Sequence, residues 1–171
     1  MAQAAHEELE LTRLVFIPTA RSPFKPEREL APPRERLRLL RLALAGKTWC
    51  EIDEQEITRG GISYTIDTLR DYTRRFPSST FFYLIGADHV PKLPQWREAR
   101  DLAVLAEFVV IPRPGQAEAP FPEPFRSRAL AGFPLGVSSS QIRARVRAGL
   151  PIDHLVPGPV AEAIANNRLY L

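Results

Sequence analysis

The chain reads as an α/β fold built on a doubly wound parallel sheet, and three observations point there. Short runs that are apolar on both faces recur at Leu14-Val15-Phe16-Ile17, at 80–85 and at 108–111, as strands covered by helices on both sides do. Stretches with helical spacing alternate with them, which is the order of a parallel sheet with crossover helices. Each strand runs directly into polar or glycine-bearing residues, in the place where open α/β sheets hold their ligands.

Taken in order, residues 1–9 read as the end of an amphipathic helix. Leu14 to Ile17 is a buried strand closed by Pro18, since proline cannot continue a central ladder. Thr19 to Pro32 is a proline-rich loop. A helix starts at Pro33, where a first-turn proline is favoured, and runs to about Ala45 with Leu37, Leu40 and Leu44 on one face. Arg34, Arg38 and Arg41 share another, most simply a solvated one. Trp49 to Ile57 is expected to be extended. Thr65 to Phe76 is a helix stopped by Pro77, and Ser138 to Ala148 and Pro159 to Asn166 are the last two. Five prolines between Pro112 and Pro124 exclude a helix or central strand there, so 112–134 is expected to be a surface excursion from a single domain spanning 1–171.

Composition excludes several classes. No apolar run approaches membrane-spanning length. The acidic opening MAQAAHEELE does not read as a signal peptide, and the single Cys50 suits a reducing compartment, so a cytoplasmic protein is expected. The net charge is +3, and 20 of the 23 basic residues are arginine. That allows anionic ligands and does not call for nucleic acid. His6, His89 and His154 lack metal-ligand spacing, so no protein metal site is expected.

Three strand ends carry candidate groups: Thr19 to Lys25, Gly86-Ala87-Asp88 and Pro112-Arg113. Asp88 can accept from a ribose hydroxyl, help position a metal or cap the helix that follows. Gly86 lets a ligand approach the backbone. Ser138 and Gln141 have capping-box spacing. The same helix N-terminus, with its serines and with Arg143 one turn inside, can hold phosphate. Arg147 shares the side of Arg143, whereas Arg145 points elsewhere. Gly60-Gly61 leads through Ser63-Tyr64-Thr65 into a helix and can present N–H groups to an anion or serve as a loop with a cap. Trp96 can be a stacking platform or core.

Joined in order, LVFIPTARSPFKP (14–26), GGISYTIDTLRDYTRRFP (60–77), FYLIGADHVPKLPQW (82–96), FVVIPRPG (108–115), VSSSQIRAR (137–145) and LVPGPVAEAIANNRLY (155–170) resemble the bacterial nicotinate-nucleotide adenylyltransferases over nearly the whole chain. The resemblance implies a Rossmann-like nucleotidyltransferase fold and transfer of AMP from ATP, with Mg²⁺, to nicotinate mononucleotide, giving deamido-NAD and pyrophosphate. It places Tyr64, Thr65 and Trp96 at the nicotinate, with Lys25 approaching the phosphates. It gives Gly86, Asp88, Arg113, Ser138, Ser139 and Arg143 to ATP. Phe24 stands where many relatives have histidine.

Such relatives open with a strand and a G-x-F-D-P-x-H-x-G-H stretch that leads into a helix like MAQAAHEELEL. Here Met1 falls within that helix, and neither histidine is among the 171 residues. Catalysis is therefore expected only in a longer form, with these 171 residues themselves inactive. The alternatives are a shortened, non-catalytic nucleotide-binding protein and an arginine-rich RNA-binding module, the latter disfavoured because RNP-like aromatic runs are lacking.

Overall fold

The structure is a computed structural model that describes residues 1–24, 31–112, 120–126, 128–132 and 136–171. The backbone resolves into two compact units, one formed by Met1–Thr12 and Ser63–Gly136, the other by Arg13–Ile62 and Val137–Leu171.

In the first unit, β3 (Phe82–Gly86) and β4 (Glu107–Ile111) pair in parallel, with Tyr83 beside Phe108 and Gly86 beside Ile111. Side chains alternate across a strand, and both faces of this pair are covered. Tyr83, Ile85, Phe108 and Val110 join a core with Ile66 and Leu69 of α4 (Thr65–Arg75) and Leu102 of α5 (Ala99–Leu105). Phe82, Leu84, Val109 and Ile111 face Ala5 and Leu9 at α1 (Ala2–Glu8). This is the two-sided burial that the apolar runs require of parallel strands. Between β3 and α5 the chain forms a 3-10 segment, Ala87–Gln95. Pro91 and Pro94 within it cannot supply the amide hydrogens of a regular α-helix.

The proline-rich stretch departs from the expected surface excursion. Phe125 is buried against Phe108, ring centroids 4.9 Å apart and edge to face. The Val110 amide donates to the Arg128 carbonyl at 2.8 Å, and the Leu130 amide donates to the Val110 carbonyl at 3.0 Å. Leu130 is buried in the α1-side core, and Glu8 accepts from the amides of Ala131 and Gly132. Proline excludes regular hydrogen bonding from this stretch, yet the apolar residues between and after the prolines still find the core.

In the second unit, β1 (Leu14–Phe16) pairs in parallel with β2 (Cys50–Ile52). Expected to be buried, β1 is half-buried throughout, because among the described residues it pairs along one edge only. Helix α2 (Pro33–Leu44) begins on its proline. Leu37 is buried, but the face that docks on α7 (Gly158–Asn166) is another one, through Leu39, Leu42 and Ala43. Residues 55–57, expected to be extended, belong to α3 (Gln55–Arg59). Asp53 turns the chain there, its carboxylate accepting from the Gln55 amide at 2.9 Å and from the Gln55 side chain at 3.0 Å, a local turn that aspartate favours. Helix α6 (Ser139–Arg147) packs Ile142 and Val146 into the α7 cluster.

Candidate nucleotide site

The predicted site residues fall in both units, and each group is built by its own unit. In the first, the carboxyl ends of β3 and β4 are marked by Gly86 and Ile111. Gly86 has φ −74° and ψ 151°, ordinary extended backbone, so its use is the absence of a side chain at the strand end. It also occupies the cap position of the 3-10 segment without a side-chain bond. Asp88 is therefore not the cap: it stands in the first turn, exposed, 3.9 Å from the ring of His89.

Trp96 closes the 3-10 segment, its amide donating to the Leu93 carbonyl at 3.0 Å. Its half-buried indole meets Tyr83, His89 and Phe108 edge to face, each at 6.0 Å. Trp96 thus packs on the core while staying partly open to solvent, which suits both of its sequence readings. Tyr83 links it to α4, since its hydroxyl lies 3.2 Å from the Thr65 hydroxyl in a hydrogen bond. Tyr64 caps α4 without a side-chain bond, and the guanidinium of Arg97 lies over its ring at 4.8 Å. Tyr64, Thr65 and Trp96 are thus brought together, and Tyr83 and Arg97 join them unannounced. Period-2 alternation put Tyr83 on the side of Ile85, but nothing in the sequence reported that its hydroxyl reaches Thr65.

In the second unit the Ser138–Gln141 capping box is complete. The Ser138 hydroxyl accepts from the Gln141 amide at 3.2 Å, and the Gln141 side chain accepts from the Ser138 amide at 2.7 Å. Ser139 opens the helix, exposed. Arg143 is half-buried, donates to the Ser140 hydroxyl at 3.2 Å and lies 6.0 Å from the centre of the Tyr170 ring. Arg145, on the other side as expected, is a structural clamp: two of its nitrogens donate to the Pro151 carbonyl at 3.0 and 2.9 Å. Arg147 is exposed. Lys25 and Arg113, predicted phosphate and ATP contacts, lie outside the described residues.

Arg36 is a further residue the sequence reading did not single out. It donates to the Thr19 carbonyl at 2.7 Å and to the Ala31 carbonyl at 3.1 Å. Burial lowers its pKa, an effect that nearby Tyr170 opposes. Burial likewise pushes the Tyr170 phenol up, against the pull of Arg36. Helical spacing held the signal: at 100° per residue Arg36 falls between Leu40 and Ala43 and away from the solvated Arg34, Arg38 and Arg41.

A cavity of about 580 Å³ beside Thr80, Phe81, Ala106, Glu107 and Phe125 opens at the amino ends of β3 and β4. Ligands of such sheets sit at the opposite, carboxyl ends, so the cavity is separate from the predicted groups.

A profile of the Cytidylyltransferase-like family matches residues 1–145. Relatives named as probable nicotinate-nucleotide adenylyltransferases share 35% identity in Opitutus terrae, over 99% of this chain and 88% of the relative, and 36% in Herpetosiphon aurantiacus, over 100% and 89%. The chain belongs to the nicotinate-nucleotide adenylyltransferase family. Solved structures of a Plasmodium falciparum nicotinic acid mononucleotide adenylyltransferase align with it at 15% identity. The one complexed with NaAD has a TM-score of 0.72, covering 97% of this chain and 90% of its own, and the one complexed with APC has 0.73, covering 99% and 89%. At that identity the likeness establishes the fold: this family member has the doubly wound architecture expected from its strands and the Rossmann-like nucleotidyltransferase fold that the resemblance implied. No helix among the described residues is long and apolar enough to cross a membrane.

Proposed function

We propose that the protein binds ATP and nicotinate mononucleotide for adenylyl transfer: a phosphate oxygen of the mononucleotide attacks the α-phosphorus, the bond to the β-phosphate oxygen breaks, and deamido-NAD and pyrophosphate form. The observation that carries this is the cluster of Tyr64, Thr65, Tyr83 and Trp96, an aromatic wall at the N-terminus of α4. Trp96 and Tyr64 bind the pyridine ring, and Thr65 lies where α4 offers its first amides. Gly86 and Asp88 serve the adenosine. Ser138, Ser139 and Arg143 hold the triphosphate at the start of α6, where free amides and the helix dipole favour anions. Lys25 and Arg113 are assigned to phosphate by the family pattern alone.

Among the described residues no three metal-ligating side chains cluster. Mg²⁺ arriving with ATP would bind the triphosphate and keep several waters, its common habit, and would neutralise charge on the phosphates there. The transfer step relies on positive groups placed at the phosphoryl oxygens. The three histidines, His6, His89 and His154, do not form an H-x-G-H stretch. We assign turnover to a form that carries such histidines, and binding without appreciable turnover to these 171 residues.

Calorimetry with each nucleotide, followed by chromatography for deamido-NAD with and without a preceding H-x-G-H segment, tests the reading. Binding of both nucleotides by either form, with product only from the longer one, is expected. Failure of both forms to bind nicotinate mononucleotide refutes the substrate assignment. Normal turnover by the 171 residues refutes the role given to the histidines.

A further inference from the structure

We infer that Tyr170 is a positioning residue for the triphosphate: its ring supports the Arg143 guanidinium and holds it toward the start of α6. The inference rests on the proposed role of Arg143 in binding ATP and adds the group that keeps Arg143 in place. The Arg143 guanidinium carbon lies 6.0 Å from the centre of the Tyr170 ring, within reach of cation–π attraction. The same guanidinium donates to the Ser140 hydroxyl at 3.2 Å, in the first turn of α6. An arginine side chain loses much rotamer freedom when it is fixed. Ring and hydroxyl order it beforehand, so a ligand that meets it has less ordering to do.

The end of the chain is built to bring that ring there. Helix α7 closes in a Schellman turn: the Arg168 amide donates to the Ala165 carbonyl and the Leu169 amide to the Ile164 carbonyl, each at 3.1 Å, the bonding that reverses a chain after a helix. Arg168 takes the left-handed backbone this turn requires, φ 49°, although glycine adopts it more readily. Leu169 and Tyr170 then pack on the α2–α7 cluster. Tyr170 is half-buried and is itself left-handed, with φ 69°. Two side-chain-bearing residues stay in that backbone region only where their surroundings fix them, and here the fixed turn sets the ring beside Arg143. Burial pushes the phenol pKa up, so at neutral pH Arg143 meets an uncharged ring and not a phenolate. Arg36 is the other cation near this phenol, and variants can separate what the hydroxyl does from what the ring does.

Calorimetry with ATP and with nicotinate mononucleotide tests the role. Tyr170→Phe, which keeps the ring, should bind ATP within about twofold of the parent. Tyr170→Leu, which fills the space without a ring, should weaken ATP about two- to fivefold, the scale of a partly exposed cation–π contact. Nicotinate mononucleotide should bind equally to both. In an Arg143→Ala background, adding Tyr170→Leu should cause no further loss of ATP, because the two residues act through one contact.

Equal ATP binding by the Phe and Leu variants overturns the inference. So does a loss at Tyr170→Leu that persists in full when residue 143 is already alanine, since that effect does not pass through Arg143. A loss in Tyr170→Phe as large as in Tyr170→Leu assigns the effect to the hydroxyl and also overturns it. Each of these results leaves the proposed function standing. Normal ATP binding by Arg143→Ala, or none by the unaltered protein, overturns the proposed phosphate site and the inference with it. Should Tyr170→Leu fail to fold, Tyr170→Phe with a fully fluorinated ring takes its place, because fluorination keeps the shape and reverses the charge of the ring face. The same two- to fivefold loss relative to plain Tyr170→Phe is then expected, and equal affinity overturns the inference.

Discussion

Replacing Arg36 with methionine keeps the length of the side chain and removes its charge and donors. The guanidinium makes two hydrogen bonds to main-chain carbonyls, Thr19 at 2.7 Å and Ala31 at 3.1 Å, and so ties down the chain just before Arg21. A hydrogen bond from a charged donor contributes about 1.5–3 kcal/mol when the partner is left buried and unpaired. Thr19 and Ala31 are half-exposed, so water can take up both carbonyls, and about 1 kcal/mol each is the fitting scale. The variant should therefore open this segment more easily by about 2 kcal/mol, roughly a thirtyfold rise in the open population. Arg21 is exposed, so limited trypsinolysis followed by mass spectrometry reads the opening at the 21–22 bond. Where opening and closing are fast relative to cutting, the rate follows that population. A thirtyfold faster cut at Arg21, with cutting at Arg74 and Arg100 changed far less, is expected. If cutting at Arg21 is unchanged, or if all sites speed up together, Arg36 does not act as a local staple.

Arg143→Ala should weaken ATP about ten- to hundredfold and hardly alter nicotinate mononucleotide. The matched control is Arg147→Ala, because Arg145 is engaged by Pro151 and its removal would disturb the end of α6; calorimetric losses of equal size at 143 and 147 would leave the helix as charged scaffold. Trp96→Ala should weaken nicotinate mononucleotide more than ATP by the stacking contribution of about 0.5–1.5 kcal/mol, and should lower stability in urea because the indole also packs on Tyr83 and Phe108; equal loss for both ligands would make it core alone. Burial pushes the Asp71 carboxyl up, but hydrogen bonds from Arg74 and Arg75 outweigh it and leave the pKa low. The stability Asp71 contributes is thus complete above the unfolded carboxylate value of about 3.9 and lost as pH falls through the lower folded value, so Asp71→Asn should reduce stability at pH 7 by a few tenths of a kcal/mol, and its difference from the parent should shrink as the pH is lowered below about 3.9.

Sequence carried the elements whose signals are local. The capping box at Ser138 needs only a serine and a glutamine three apart, and it formed as read. The helix from Pro33 and the strands at 82–86 and 107–111 follow from a proline start and from two-sided apolar runs. Tertiary choices were hidden. Which face of α2 meets α7 depends on a helix more than a hundred residues away, so Leu39 was passed over in favour of Leu37, Leu40 and Leu44. The burial of Phe125 and Leu130 depends on the edge of β4, whereas proline content described only their backbone. Residues 55–57 read as extended because a helix as short as Gln55–Arg59 has too few residues to show a period. For the site, Tyr64, Thr65 and Trp96 were legible from their motifs, whereas Tyr83 and Arg97 gain their relevance from spatial neighbours.

The distribution of arginines explains why composition alone was a weak guide to ligand chemistry here. An abundance of arginine could mean a basic binding surface, yet most of those with assigned partners are engaged within the protein. Arg13 pairs with Glu51, Arg41 with Glu54, Arg74 and Arg75 with Asp71, and Arg128 with Glu107. Arg36 and Arg145 hold main-chain carbonyls. What distinguishes a candidate ligand-binding arginine is therefore not its charge but the quality of the partners it already has. Arg70, with acids at 2.5 and 2.8 Å, would lose two close bonds on turning to a ligand. Arg143, with one neutral hydroxyl at 3.2 Å, would lose little. The same criterion selects Arg143, beside the serine-rich start of α6. If that is confirmed, anion recognition here rests on an arginine held by one neutral hydroxyl rather than by a close ion pair.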